Sequence, residues 1–386
     1  MRGFILVIID EFKTVFGRAE GRIRVGSREY RVEFKSTLEL SDAIAESLLL
    51  LALPAAMRCG GPLISAAPVS PRLLENIPRI QDLYCSWNAK LHPVEIRVPA
   101  RVPATRPAAP DATCQAIAFS GGVDSFYAAL QSPGSSLVYV HGFDVALGKH
   151  ELRKVVSERL AWSAAQLGQP LLEIETNLRE FSDRYLPWIF AYGGALAACA
   201  LLLSRHIDTL DVSAGVSYER LQPDGTHPQL TPLFSTEDLA FAAQGYELNR
   251  VEKTEIIAGH PVVQSALRVC WENRGDEYNC GVCEKCLRTM AALEIFGVLQ
   301  HYSTFSVPFD YGRLSRAMPA SPNLTLFIDE NLQAARARNA SPELIGSLEN
   351  ELARAQSPLL RTLLRKPPRI FNDWYYRAFQ CQASTH

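Results

Sequence analysis

The sequence lacks a strong net charge. Its 39 lysine and arginine residues almost balance its 41 aspartate and glutamate residues, which leaves a formal net charge of −2 at neutral pH. Proteins whose main affinity is for a phosphate backbone usually carry an excess of cations, because each phosphate contact neutralises a negative charge. We therefore expect no nucleic-acid partner, unless a local basic patch is hidden in the average.

Long apolar runs, repeats and a surplus of glycine or proline are also missing. The 23 glycines and 24 prolines are at the background level, which excludes collagen-like and disordered classes. The longest apolar stretches, residues 47–57 and 188–203, are shorter than the roughly 20 residues that a membrane-spanning helix needs. Both stretches predict buried helices, and we expect no membrane partner.

No secretory signal is recognisable near the start of the chain. A short apolar run at residues 4–9 is followed at once by Asp10 and Glu11, without the small residues of a cleavage site. Nine cysteines without an export signal indicate a reducing compartment, in which cysteines bind metals or remain thiols. The sequence thus predicts a cytoplasmic protein and leaves its oligomeric state open.

Residues 1–110 have the pattern of a separate N-terminal α+β domain. Apolar and polar residues alternate as in half-buried strands at residues 21–25, 30–34 and 94–98. Ser41 and Asp42 are placed to cap a helix that runs through Leu51. The prolines and alanines of residues 103–110 predict a linker to the next unit.

Residues 111–298 alternate between short apolar strands and helices. The strands are predicted at residues 116–119, 137–140, 171–174 and 210–213, and the helices at residues 124–130, 151–167 and 188–203. This alternation predicts a parallel sheet with crossover helices, so the fold class is α/β. Residues 299–386 are predicted to form a helical C-terminal region, with an amphipathic helix at residues 342–364.

A glycine loop, Ser120-Gly121-Gly122-Val123-Asp124-Ser125, separates the first of these strands from its helix. Two glycines let the backbone approach a ligand closely, and the amides at a helix N-terminus can donate to an anion. Asp124 would repel a phosphate that it faced, so it is expected to brace the turn or to bind Mg²⁺. The alternative is a tight turn capped by serines, but the full string favours phosphate binding.

This string resembles the signature of the PP-loop ATP pyrophosphatases, which cleave ATP to AMP and pyrophosphate while adenylating an oxygen of their substrate. The resemblance implies an adenine nucleotide α-hydrolase-like core that binds ATP and Mg²⁺. The implied ATP contacts are Ser120, Gly121, Gly122, Val123, Asp124 and Ser125 at the pyrophosphate, Val140, His141 and Gly142 at adenine, and Gly215 over the nucleotide. Asp124 and Ser125 are implied to be catalytic.

A third catalytic residue, Lys253, is also implied by the resemblance. The segment from Arg250 to Ile256 resembles the family's later lysine segment, in which Lys253 would offset charge on the phosphates. From the residues alone, Lys253 could equally be an ordinary lysine in the first turn of a helix. Both interpretations stay open on sequence evidence.

Four of the nine cysteines, Cys270, Cys280, Cys283 and Cys286, have the spacing C-x9-C-x2-C-x2-C. Four thiolates that converge from one short segment are what tetrahedral Zn²⁺ requires, and they leave no open position for a substrate. The spacing therefore predicts a structural zinc site. An iron–sulfur cluster or a set of unrelated buried thiols are the alternatives.

The cysteine cluster narrows the resemblance to the 7-cyano-7-deazaguanine synthase branch, over residues 115–297. That branch activates 7-carboxy-7-deazaguanine with ATP, adds ammonia, and uses a second ATP to form the nitrile. The resemblance therefore implies a small-molecule carboxylate as substrate and an amine donor as partner. The Gly-Tyr-Pro-Asp feature of the family is replaced here by Leu221-Gln222-Pro223-Asp224, and its Gly-Arg-Asn by Tyr192-Gly193-Gly194.

These departures and the additional residues at both ends favour a larger acceptor than ammonia. Some members of the wider group, found in bacterial defence operons, join the deazaguanine acyl group to a protein amine, and the architecture agrees with such a conjugate. Candidates for orienting the amine are Glu219, Arg220, His227 and Glu237, which could also simply face water. Two other functions remain open: a tRNA-thiolating enzyme of the same fold, and a nucleotide-binding scaffold without turnover.

Overall fold

The computed structural model describes residues 5–102, 114–317 and 324–357. In these ranges the strands are β1 (Val7–Val15), β2 (Arg18–Val25), β3 (Arg28–Lys35), β4 (Leu63–Ser65), β5 (Ile96–Arg97), β6 (Gln115–Ala118), β7 (Ser136–His141), β8 (Leu171–Thr176), β9 (Thr209–Ser213) and β10 (Ala240–Gln244). The helices are α1 (Ile44–Cys59), α2 (Pro71–Trp87), α3 (Val123–Gln131), α4 (His150–Leu167), α5 (Arg179–Ser182), α6 (Trp188–Leu202), α7 (Arg250–Ala258), α8 (Pro261–Ala266), α9 (Glu284–Ile295), α10 (Tyr311–Ser315), α11 (Thr325–Ala337) and α12 (Pro342–Gln356).

The strands of the described residues form one sheet in the order β10-β9-β6-β7-β8-β3-β2-β1-β4-β5. Pairing is parallel from β10 to β8 and again from β1 through β4 to β5. The three pairs between β8 and β1 are antiparallel. The protein is therefore an α/β protein with a large, mostly parallel sheet, as the alternation of strands and helices predicts.

The order of the parallel strands reverses between β6 and β9. The chain runs outward from β6 to β7 and β8, then returns to place β9 and β10 on the opposite side of β6. Such a reversal leaves a crevice at the carboxyl ends of the two central strands, because their following loops run to opposite sides. The loops that begin at Phe119 and Ala214 border this crevice.

The N-terminal strands extend the same sheet as the core. β3 joins β8 through the pair Phe34 and Thr176. On one face of the sheet α1 packs against α6, and the Ser47 hydroxyl donates to the Ala198 carbonyl at 2.7 Å. The two parts share one hydrophobic core. The domain boundaries predicted at residues 110 and 298 stay a prediction.

Two N-terminal elements differ from their predicted bounds. α1 begins at Ile44 and continues past Leu51 to Cys59, with Pro54 inside it. Ser41 does not cap this helix, because its hydroxyl donates instead to the Leu201 carbonyl on α6 at 2.7 Å. The helix tolerates Pro54 because residues 44–57 are all buried, and this burial offsets the lost backbone hydrogen bond.

The second difference is at residues 94–98, where only Ile96 and Arg97 form a strand. In the core the predictions agree with the structure to within two residues, and Gly168 ends α4 with a φ of +67°. In the C-terminal region α12 begins at Pro342 as predicted. Residues 358–364 of that predicted helix lie outside the described residues, as does the linker at residues 103–110.

No helix in the described parts of the chain is long and apolar enough to cross a membrane.

Candidate functional site

The glycine loop connects β6 to α3 at the border of the crevice. Gly121 has a φ of +73°, and its carbonyl accepts a hydrogen bond from the Arg268 amide at 2.8 Å. Gly122 is the N-cap of α3, and its carbonyl accepts from the Ser125 hydroxyl at 3.0 Å. The loop therefore ends at a helix N-terminus, where the first backbone amides have no helical partners and can donate to an anion.

Asp124 lies in the first turn of α3 and forms an ion pair with Arg250, the first residue of α7. The pair uses Oδ2 of the carboxylate. The other oxygen, Oδ1, is buried and has no hydrogen-bond partner among the described residues. An unsatisfied buried carboxylate oxygen fits a ligand of Mg²⁺, which prefers carboxylates and phosphate oxygens. Arg250 itself is only 8% exposed, so the pair is largely shielded from water.

Lys253 is fully buried between α3 and the loop that follows β9. Its ammonium donates to the Ala214 carbonyl at 2.6 Å and lies 5.7 Å from the centre of the Tyr127 ring. Burial lowers the pKa of Lys253, and the charge of Asp124 opposes this effect. Among the described residues, no atom lies within 4 Å of a Cβ added at Gly215, so this turn faces open space. The structure thus brings Lys253, Asp124 and the Gly215 turn to one crevice.

The predicted adenine-binding residues lie at the carboxyl end of β7, the strand next to β6. Val140 is buried in the core and His141 bonds through Nε2 to Glu173 of β8 at 2.9 Å. This hydrogen bond lowers the pKa of Glu173. Gly142 has a φ of +96°, and a Cβ there would lie 2.1 Å from the Thr176 carbonyl oxygen. Packing against β8 therefore requires this glycine whether or not a ligand approaches it.

The four predicted zinc ligands, Cys270, Cys280, Cys283 and Cys286, form one cluster. All are buried, and their sulfur atoms lie within 4.8 Å of one another. The Cys270 sulfur is 3.5 Å from that of Cys280 and 4.0 Å from that of Cys283. Two thiolates on one tetrahedral Zn²⁺ are roughly 3.8 Å apart, whereas a disulfide requires about 2.05 Å. The cluster can therefore hold a metal ion such as zinc.

Neighbouring groups bias the protonation of the cysteine cluster. Hydrogen bonds with the other three cysteines hold the pKa of Cys270 well below its usual range. The backbone amide of Asn273 also donates to the Cys270 sulfur at 3.3 Å. These contacts favour the thiolate of Cys270, and the thiolate is the form that binds a metal. The same set of hydrogen bonds raises the pKa of Cys283 and Cys286, so the cluster shares its protons among the four sulfurs.

Asn279, which the sequence analysis did not identify, positions Cys270 beside the other ligands. Its side chain is fully buried and accepts from the amides of Val269 and Cys270 at 2.8 and 3.1 Å. Its amide group donates to the Leu267 carbonyl at 2.8 Å. The neighbouring Arg268 amide is the one that binds the Gly121 carbonyl. The cysteine cluster and the glycine loop are therefore linked through one short backbone segment.

Two further cations at the crevice were not assigned to it from sequence. Arg250 pairs with Asp124, although only Lys253 of its segment was predicted to act. Lys285 lies between two of the cysteines; burial lowers its pKa, and the nearby carboxylates of Asp144 and Asp124 oppose this effect. Lys285 is in the first turn of α9, and the fold of the cysteine segment brings this turn to the crevice. The position of Lys285 in the sequence does not by itself predict that location.

The loop after β9 is held tightly rather than left in water. Asp224 is 6% exposed and accepts from the backbone amide and hydroxyl of Thr226 at 2.7 and 3.0 Å. A Cβ at Gly193 of α6 would lie 1.6 Å from the Gly225 carbonyl oxygen. The Tyr192-Gly193-Gly194 sequence thus allows α6 to contact this loop directly.

The candidate amine-orienting residues of this loop have separate environments. Arg220 pairs with Asp329 of α11 at 2.8 Å, which joins the loop to the C-terminal region. Glu237 accepts from the Arg72 amide at 2.9 Å, and the His227 ring contacts that of Trp87 at 5.4 Å between centres. Glu219 is exposed.

Comparison of the chain with family models, with curated proteins and with solved structures finds no significant match.

Proposed function

We propose that this chain is an ATP-dependent carbon–nitrogen ligase that adenylates a carboxylate, releases pyrophosphate and passes the acyl group to an amine. The observation that carries the proposal is the position of the glycine loop. It leaves β6 where the strand order reverses, and it opens the N-terminus of α3. Ligands of open α/β sheets bind at such a reversal, and phosphates bind at helix N-termini.

The reaction needs no covalent enzyme intermediate. An oxygen of the substrate carboxylate attacks the α-phosphorus of ATP, and the bond to the β-phosphate oxygen breaks as pyrophosphate leaves. The amine then attacks the acyl carbon, AMP leaves, and the amine nitrogen loses a proton. Positioned donors around developing phosphate charge supply most of the rate in such transfers.

The glycine loop, Lys253 and Asp124 have separate roles in this scheme. Backbone amides at Gly122 and the start of α3 would bind the leaving phosphates. The ammonium of Lys253 would offset their charge from the Ala214 side of the crevice. The free Oδ1 of Asp124 would hold Mg²⁺, which neutralises phosphate charge when it is bound.

The proposed substrate is 7-carboxy-7-deazaguanine, on the resemblance to the 7-cyano-7-deazaguanine synthases. The amine is ammonia or an amine of a protein. With ammonia the product is the primary amide, or the nitrile if a second ATP activates the amide oxygen and that oxygen leaves with AMP as the nitrogen loses its protons. With a protein amine the product is a conjugate, in a bacterial defence role. The cysteine cluster would hold zinc as a structural ion, since four sulfur ligands leave no position for a substrate.

The test is pyrophosphate release from ATP and Mg²⁺ in the presence of 7-carboxy-7-deazaguanine and ammonium. Asp124→Asn keeps the shape of the side chain, removes the proposed Mg²⁺ ligand, and should lower the rate by at least about a hundredfold. Asp42→Asn is the control, because the Asp42 side chain is 84% exposed and lies beside Arg205, ahead of β9, whereas the crevice is at the carboxyl end of that strand. Release by the wild type that persists in Asp124→Asn would contradict the assigned role.

The product distinguishes the remaining alternatives. Mass spectrometry of the small molecules separates the amide from the nitrile, and intact mass of candidate partner proteins detects a conjugate. No pyrophosphate with any carboxy-deazapurine would overturn the substrate proposal. Iron in place of zinc would favour the thiolating enzyme over the ligase.

A further inference from the structure

A narrow polar cavity lies behind the Asp124–Arg250 ion pair, between α7, α9 and α11. Its polar lining is Arg250, Thr254, Arg288, Thr289, Glu330 and Asn331. The cavity has room for about one water molecule. It separates Arg250, the partner of Asp124, from Glu330 of α11, a helix of the C-terminal region.

Glu330 of α11 is the unusual group in this cavity. It is 6% exposed, and no side chain of the described residues donates a hydrogen bond to either of its carboxylate oxygens. Burial raises its pKa to about 7, while the Arg250 amide and the charges of Arg288, Arg220 and Arg250 oppose the rise. A buried carboxylate without a side-chain donor is costly, so its position at this cavity needs a reason.

The other guanidinium of the cavity, that of Arg288, has a charge partner and a ring contact of its own. Arg288 lies 3.4 Å from Glu284, one turn before it on α9. Its guanidinium also stacks over the Phe327 ring at 4.2 Å. Nε and Nη1 of Arg288 have no hydrogen-bond acceptor among the described residues, so both guanidinium groups can attract Glu330. Arg250 is the one whose present partner, Asp124, belongs to the nucleotide site.

We propose that Glu330 is a positioning residue of the nucleotide site, the second partner of the Arg250 guanidinium when Asp124 shares its charge with Mg²⁺ through Oδ1 and holds Arg250 less strongly through Oδ2. The inference rests on the proposed function, because it assumes that Asp124 holds Mg²⁺ with ATP. Without Glu330, Arg250 would be a buried cation with only a weakened partner beside a divalent ion, which is an unfavourable arrangement. Pairing with Glu330 removes this penalty and keeps the guanidinium in place.

In this arrangement the C-terminal region holds Glu330 beside the nucleotide site. The neighbours of Glu330 on α11 fix the helix at two points: Asp329 pairs with Arg220, and the Asn331 side chain donates to the Arg288 carbonyl at 3.0 Å. Both contacts are to segments that border the crevice. The helix is thereby held where Glu330 can receive Arg250.

The test measures the affinity for α,β-methylene-ATP by calorimetry at pH 7.5, with Mg²⁺ and with EDTA. The quantity compared is the factor by which Mg²⁺ strengthens binding. In Glu330→Gln this factor should fall about tenfold, while the affinity in EDTA stays within about twofold of wild type. Glu351→Gln is the matched control, since Glu351 is a second buried glutamate with a raised pKa, on α12, that does not line the cavity.

Each outcome decides between the alternatives. An unchanged Mg²⁺ factor in Glu330→Gln, or an equal fall in Glu351→Gln, would overturn the proposal. If Glu330→Gln melts below the assay temperature, Glu330→Asp replaces it. Aspartate keeps the charge on a shorter side chain, so the Mg²⁺ factor should lie below that of the wild type but fall by less than about tenfold, and an unchanged factor would again overturn the proposal. Wild-type protein that binds no analogue in either buffer would instead refute the proposed function itself.

Discussion

The two glycines of the loop should respond differently to alanine, although they are adjacent. Gly121 has a φ of +73°, and an added Cβ would lie 2.9 Å from a methyl carbon of Leu160. Gly122 has a φ of −84°, which alanine adopts freely. The nearest atoms to a Cβ at Gly122 would be the Ser120 hydroxyl at 3.4 Å and the Arg268 carbonyl oxygen at 3.5 Å. Alanine therefore fits at position 122 and is strained at position 121.

The expected losses of stability follow from these two environments. Alanine in the left-handed region costs about 1–2 kcal/mol, and displacing the fully buried Leu160 from its rotamer adds about 0.5–1.5 kcal/mol. Gly121→Ala should thus lower the free energy of unfolding by about 2–3 kcal/mol. Gly122→Ala should lower it by less than about 1 kcal/mol.

Gly134→Ala is the control for backbone strain. Gly134 has a φ of +88°, and no described atom lies within 4 Å of an added Cβ, so this variant has the backbone cost without the contact with Leu160. Urea unfolding of the three variants gives each cost directly. A Gly122→Ala variant as unstable as Gly121→Ala would refute the loop conformation.

The same variants test whether the Gly122 backbone binds a phosphate of the nucleotide. Because a methyl group at Gly122 stands at the N-cap of α3, it should weaken binding of α,β-methylene-ATP by at least about tenfold in a protein that remains folded. Gly134→Ala should bind the analogue as the wild type does. Full affinity in Gly122→Ala would show that no phosphate approaches this backbone.

Two further predictions concern the metal and pH. Metal analysis should find one zinc per chain. The Cys283→Ser variant should lose this zinc and melt at a lower temperature. The Cys114→Ser variant, which changes an exposed thiol outside the cluster, should keep the zinc. Burial raises the pKa of Glu351 to about 8 and that of Glu330 to about 7, from 4.5 in the unfolded chain, so the unfolded state loses these protons first. The free energy of unfolding should therefore fall between about pH 5 and pH 8, and urea titrations should show a shallower fall in Glu351→Gln; equal slopes would contradict the raised pKa.

The local structure of the glycine loop was predictable from its sequence, whereas its contact with α7 was not. The string from Ser120 to Ser125 predicts a strand, a turn and a helix, and the structure has β6, the loop and α3 in that order. The ion pair between Asp124 and Arg250 was not predictable in the same way. It depends on how α7 packs against α3, and neither residue has a local pattern that identifies the other.

The N-terminal helix shows why local signals fail where burial is strong. Ser41 and Asp42 are good N-cap residues, but the helix begins at Ile44, because the Ser41 hydroxyl bonds to the neighbouring α6 instead. Pro54 should likewise end a solvated helix. Burial along α1 outweighs both the capping preference of Ser41 and Asp42 and the helix-breaking preference of Pro54. No pattern within residues 41–59 indicates which other part of the protein packs against this helix.

The sequence by itself determined the features that depend on neighbours along the chain. The core strands and helices follow from apolar periodicity, and the metal cluster follows from four cysteines close enough in sequence to reach one ion. Tertiary structure alone decided the rest: the joining of β3 to β8, the partner of Asp124, and the arrival of Glu330 at the cavity behind it. These contacts join segments that are distant in sequence, and they form because packing buries them together, which local spacing does not encode.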